Sequence, residues 1–224
     1  MNSTYVPANH HTVIASLLIG FATKYVSTFC HEALGHGLMV LLCGGEVVDL
    51  YMSLWWPISL SFILFRFVPA SIVKQALSFG AGPAICLVCS LIAIVCAKRL
   101  LKNRRRWPAL FFSWLSLWTF MSVDGYLIFG GLARVGDVGF FIEKLGVPFY
   151  LFVVAGVLLL VFYVMTFEAV FLDTATLLFP SKPAGYAVVA CFVLPFALLM
   201  LVCLPFGLYD ERSTDRFWTV ILHS

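Results

Sequence analysis

Charge is scarce in this chain. Asp, Glu, Lys and Arg make up 11% of its 224 residues, less than half of the ~25% usual in soluble domains. The surplus is apolar: 62% hydrophobic and 16% aromatic, with a mean hydropathy of +1.01. Such a composition cannot clothe a water-facing surface and specifies an all-α polytopic membrane protein solvated by lipid. The net charge of +3 excludes a nucleic-acid partner, because the basic residues concentrate in one run, Lys98 to Arg106, between two apolar segments. That run is a topology signal. Met1 to His11 holds no Lys or Arg, which argues against a cleaved signal peptide and for a retained first helix. The seven cysteines are odd in number and sit mostly inside apolar segments, so they read as small buried hydrophobes and not as a disulfide framework. Internal repeats and low-complexity linkers are also missing, and a single integral membrane domain over 1–224 is expected.

What the chain does have is a series of long apolar runs. A span takes about 20 mainly apolar residues; the first run, from His11 or Thr12 to Cys43, exceeds that and ends at Gly44-Gly45 as a helix C-cap would. Glu46 to Leu54 and Ile58 to Phe65 alternate partly with period two around Trp55-Trp56-Pro57, which predicts a small β-hairpin after the first helix. An open sheet edge cannot face lipid, so the hairpin must lie at the interface or under helices. Pro69 to Leu101 predicts a second helix, interrupted at Gly80-Ala81-Gly82-Pro83, and Trp107-Pro108 opens a third running to about Leu132. A short amphipathic piece ends at Lys144. Further spans follow Pro148 and Ala184, giving about five to six transmembrane helices: a core over 12–140, additional helices over 148–208 and a polar tail over 209–224. With the Lys98 to Arg106 run cytoplasmic, the N-terminus is cytoplasmic too, and the hairpin and the loop around Asp137 face outward.

Against this apolar background, Cys30-His31-Glu32-Ala33-Leu34-Gly35-His36 places two imidazoles and a carboxylate inside the first span. Ionisable groups at membrane depth are functional by default. The usual helical zinc device is H-E-x-x-H, with histidines at i and i+4 as ligands and the Glu as general base. Here His31 and His36 are five apart, about 140° around an α-helix, and cannot share an ion on a regular helix. Two repairs are open. A π-bulge would absorb the extra residue; or Glu32 and His36, at i and i+4, would be the ligand pair. The bland alternative is two histidines hydrogen-bonded between packed helices. A third ligand should be an acid from another helix, and Asp124, within the third span, and Asp137, just beyond it, are the candidates. One divalent ion is expected, zinc first, although two His and a carboxylate also suit iron.

Phe29 to Gly45, "FCHEALGHGLMVLLCGG", resembles the zinc helix of the site-2 protease family of intramembrane metalloproteases, with its Gly-Gly turn and following strand. Ser78 to Pro83 is similar to the family's Ala-Gly-Pro element, Asp124-Gly125 to the Asp-Gly that supplies its third ligand, and Gly136-Asp137 to a Gly-Asp pair of distant members. Together these cover about half the chain. The resemblance implies an intramembrane zinc metallopeptidase that cleaves a transmembrane or juxtamembrane peptide segment, with Glu32 as base and the unwound substrate laid against the hairpin. The chain departs from the family pattern in three places: the histidines are five apart, Cys86 stands where an Asn is expected, and no Asn-x-x-Pro precedes Asp124. The alternative expectation is a catalytically inactive protease-like subunit in a membrane complex. Its partners, like a substrate, would be transmembrane proteins and lipid.

Other polar residues rank lower. Cys86 and Cys89 form C-x-x-C without a redox fold and read as packing. Glu168 and Asp173 read as helix-end acids, Lys24 as a snorkelling or neutralising cation, and the tryptophans as interfacial or lipid-facing.

Overall fold

A computed structural model describes residues 10–53 and 61–208. Trp55, Trp56, Pro57, Trp218, His223 and the polar tail lie outside the described residues. Six helices and one hairpin form the fold: α1 (His10–Leu42), β1 (Glu46–Tyr51), β2 (Phe62–Arg66), α2 (Ile72–Lys102), α3 (Arg106–Ala133), α4 (Gly136–Leu145), α5 (Phe149–Leu178) and α6, which starts at Ala184 and runs to Leu208. Five of them, all but α4, are long and apolar enough to cross a membrane. The all-α polytopic fold with a hairpin after the first helix is therefore what the sequence builds.

The organising helix is α3. On one side Leu110, Trp114 and Trp118 pack with Leu178 and Phe179 at the end of α5 and with Ala187, Cys191, Phe192 and Leu199 of α6. On another side Phe120 joins Ile94 and Ala97 of α2 and Tyr163, Phe167 and Val170 of α5. Trp114 and Trp118 are almost completely buried, which corrects the expectation that the tryptophans face lipid or the interface. Their indole N–H groups explain it: Trp114 donates to Ser16 Oγ (3.0 Å) and Trp118 to the Gly20 carbonyl (2.8 Å), so each ring fills a gap against α1 without orphaning its donor. Small hydroxyls complete the seams, with Ser90 on Ser116, Ser116 on Tyr163, and Ser113 on Thr174. In lipid such bonds and close small-residue packing hold helices together, because apolar burial gives no net drive.

Two sequence expectations shift. Lys24 is 2% exposed and sits over the Phe21 ring, so it does not snorkel to the surface. The helix expected to break at Pro83 instead passes straight through it, from Ile72 to Lys102; in a helical bundle the backbone group freed by proline is accommodated by neighbouring structure. The hairpin is antiparallel, pairing Glu46 with Arg66 and Tyr51 with Phe62 across a bulge between Val47 and Asp49. It folds back over α1, with Ile63 reaching Gly37.

Candidate metal centre

The site begins with one surplus residue in α1. From Cys30 to Gly37 the helix is π-wound, and the Leu38 N–H bonds back to the Ala33 carbonyl five residues earlier. An i→i+5 turn brings residues five apart above one another, so His31 and His36 share a face and their Nε2 atoms stand 3.1 Å apart. Of the two repairs open in the sequence, the helix adopts the π-bulge.

Asp137 arrives from the opposite side. Arg134 and Gly136 both take positive φ (58° and 65°), with Val135 extended between them, and this corner ends α3 and starts α4. Only Gly136 is free of a Cβ penalty there, and it also lies against Tyr126, where a Cβ would come within 2.9 Å of the ring. Asp137 thus falls in the first turn of α4, where the helix dipole favours its charge. Its Oδ2 lies 3.1 Å from His31 Nε2 and 3.3 Å from His36 Nε2. Burial pushes the Asp137 carboxyl up, but the two imidazoles beside it outweigh that and hold it below the usual carboxylate range.

All three residues are at least 93% buried. Among the described residues this is the one His/Cys/Asp/Glu group whose ligand atoms all lie within 4.8 Å of one another. Its donor set fits a divalent cation. His36 Nδ1 is 2.6 Å from the Ser78 carbonyl, which as an acceptor fixes the proton on Nδ1 and leaves the Nε2 lone pair facing the centre. Asp137 Oδ2 is buried without a directed hydrogen bond despite its two imidazole neighbours. Lone pairs gathered at 3.1 to 3.3 Å repel, and a single proton bridges only one pair of them. Ligands on tetrahedral corners about 2.05 Å from zinc stand about 3.3 Å apart, which matches the observed triangle.

The residues of α2 make the approach close enough. A Cβ on Gly35 would sit 2.5 Å from Gly82 Cα, and one on Gly82 would enter the His36 ring and come within 2.9 Å of His31 Cε1. The Gly80 to Pro83 element is therefore a backbone surface on which both rings rest. Tyr126 closes the remaining side, stacked on His31 at 4.8 Å and 4°.

No protein-family model, curated protein or solved structure matches this chain. The geometry stands alone.

Glu32, 4% exposed, lies in the same turn, within electrostatic reach of His31, His36 and Asp137, but is not one of the three converging ligands. Asp124 is not brought in either. Two residues on a helix are about 200° apart, so with Tyr126 turned towards His31, Asp124 points the other way, with one carboxylate oxygen buried and unpartnered. Sequence reasoning missed Ser78, which acts through its carbonyl and has no side-chain signal, and Tyr126, whose only signal is its place two residues after Asp124. It also read Cys86 as packing, whereas Cys86 Sγ lies 3.6 Å from His31 Nδ1. An apolar cleft walled by Met39, Leu77, Gly80, Ala81, Ala84 and Phe141, among others, lies between α1, α2 and α4, and none of the three converging residues lines it.

Proposed function

We propose that this protein is an intramembrane zinc metallopeptidase of the site-2 protease type, acting on a transmembrane or juxtamembrane peptide. The observation that carries the reading is the convergence of His31, His36 and Asp137 to a 3.1 to 3.3 Å triangle within a membrane domain, with a buried glutamate one residue from the first ligand. His31 and His36 through Nε2 and Asp137 through Oδ2 would hold the ion. A zinc ion supplies Lewis acidity, acidifying water towards a pKa of about 7 and polarising a carbonyl oxygen. Glu32, buried one residue from His31 and within electrostatic reach of all three ligands, is the base that would take the proton from the attacking water and return it to the leaving amine. The N-terminus is cytoplasmic, because the α2–α3 junction carries the basic run.

The test is metal analysis of the purified protein together with a membrane-anchored cleavable peptide. One zinc per chain and loss of cleavage in Glu32→Gln are expected; a metal-free protein, or a Glu32→Gln variant as active as the parent, overturns the reading. A second reading, an inactive protease-like subunit, is favoured by one observation: where the resembling family has a polar Asn, this chain presents Cys86, buried against His31. Hydrolysis abolished in a folded His36→Ala variant would dispose of it.

A further inference from the structure

The metal-centre reading leaves His31 with a question that His36 does not pose. A ligating imidazole needs an acceptor on its second nitrogen to fix tautomer and ring angle; for His36 this is the Ser78 carbonyl at 2.6 Å. On α2, Ser78, Gly82 and Cys86 follow at i, i+4 and i+8, so they form one stripe along the helix. The stripe holds a carbonyl at one end, no side chain in the middle, where a Cβ would strike both rings, and a thiol at the other end. That thiol is fully buried and its sulfur is 3.6 Å from His31 Nδ1, a normal N–H···S separation, while the Nε2 of the same ring faces Asp137 and His36.

We infer that Cys86 is a positioning residue: its sulfur accepts the His31 Nδ1–H from outside the coordination sphere, fixing the Nε2 lone pair on the metal. The role rests on the metal-centre reading. It makes α2 the common outer support of both imidazoles, one held by the backbone and one by a side chain. Stacking on Tyr126 sets the plane of the His31 ring but not its rotation within that plane; the sulfur supplies the missing restraint. A thioether or thiol sulfur is a weak acceptor, so this hold is softer than the Ser78 carbonyl's and is the one a substitution can strengthen or remove.

The experiment measures zinc affinity by chelator competition on the full-length protein in detergent, and the absorption spectrum of its cobalt(II)-substituted form, for the parent, Cys86→Val, Cys86→Ser and Cys96→Ala. Removing an outer-sphere partner typically weakens binding 10- to 100-fold. Cys86→Val is therefore expected to bind one zinc about 10- to 100-fold more weakly, Cys86→Ser to lie between it and the parent, and Cys96→Ala to match the parent. The cobalt form is expected to show d–d bands without a sulfur-to-cobalt charge-transfer band, with the bands altered in Cys86→Val. Equal affinities and spectra in the parent and both Cys86 variants overturn the inference while leaving the metal centre intact. A charge-transfer band that disappears in Cys86→Val also overturns it, by making the sulfur a ligand. Should Cys86→Val fail to fold, Cys86→Ser and the cobalt spectrum of the parent decide the same point. A parent protein that binds neither metal overturns the metal-centre reading itself, a result distinct from the other two.

Discussion

At the residue scale, function concentrates in side chains whose environment is set by what is not beside them. Gly82 carries no Cβ, and that absence is what lets two imidazoles lie on α2. Gly82→Ala is expected to displace the His36 ring, lower thermal stability by about 1–3 kcal/mol through overpacking and abolish stoichiometric zinc, read by calorimetry and metal analysis; an unchanged zinc content would show that the rings do not depend on this contact. Glu32→Gln should keep its zinc yet lose cleavage by about 10²- to 10⁴-fold. His31, Glu32 and His36 were legible in the sequence because ionisable groups stand out in an apolar run. Which acid joins them was not: Asp124 and Asp137 differ by the direction of a corner at Gly136, and no pattern in the residues reports that direction.

At the scale of elements, the π-wound stretch of α1 resolves what looks like a spacing error. Since a π-bulge is a one-residue insertion into an α-helix, removing one residue inside it should restore an ordinary helix without rotating either flank. Leu34 is the residue to remove, being 42% exposed and outside the ligand set. The deletion leaves the histidines four apart, and zinc binding within about tenfold of the parent is expected, in keeping with the ordinary i, i+4 device; loss of the metal would mean that the π geometry itself, and not merely the shared face, positions the ligands. The hairpin and the two glycine-rich corners were legible from period and turn residues. The unbroken course of α2 through Pro83 was not, because the tolerance comes from neighbouring helices that a local reading does not include. Trp114 and Trp118 were misjudged for a related reason: the partners of their N–H groups, Ser16 Oγ and the Gly20 carbonyl, are about a hundred residues away in sequence.

At the scale of the molecule, five helices are long and apolar enough to cross a membrane; crossing in turn, they would put the start of α1, the α2–α3 junction and the α5–α6 junction on one face, and the hairpin and α4 on the other. Single cysteines at Asn103 and Lys182, in a background lacking the native ones, should react with an impermeant maleimide from the same side of a sealed vesicle, and one at Gly146 from the other. A shared reactivity of Asn103 and Gly146 would refute this arrangement. The series of long apolar spans and the basic run were legible because hydropathy and charge are properties of composition; the central place of α3 was not read, although α3 is the least apolar and most buried of the five spans.

The centre is also off-centre along α1. His36 is six residues from the Leu42 end, about 9 Å at 1.5 Å per residue, whereas His31 is 21 residues from His10, about 32 Å, and Asp137 comes from the short helix on the hairpin face. An ion held there would therefore be loaded and hydrated from one compartment only. In oriented vesicles, a chelator confined to the hairpin side should strip the protein, and the same chelator on the opposite side should leave it charged, so the metal supply of that single compartment governs how much of the protein is competent.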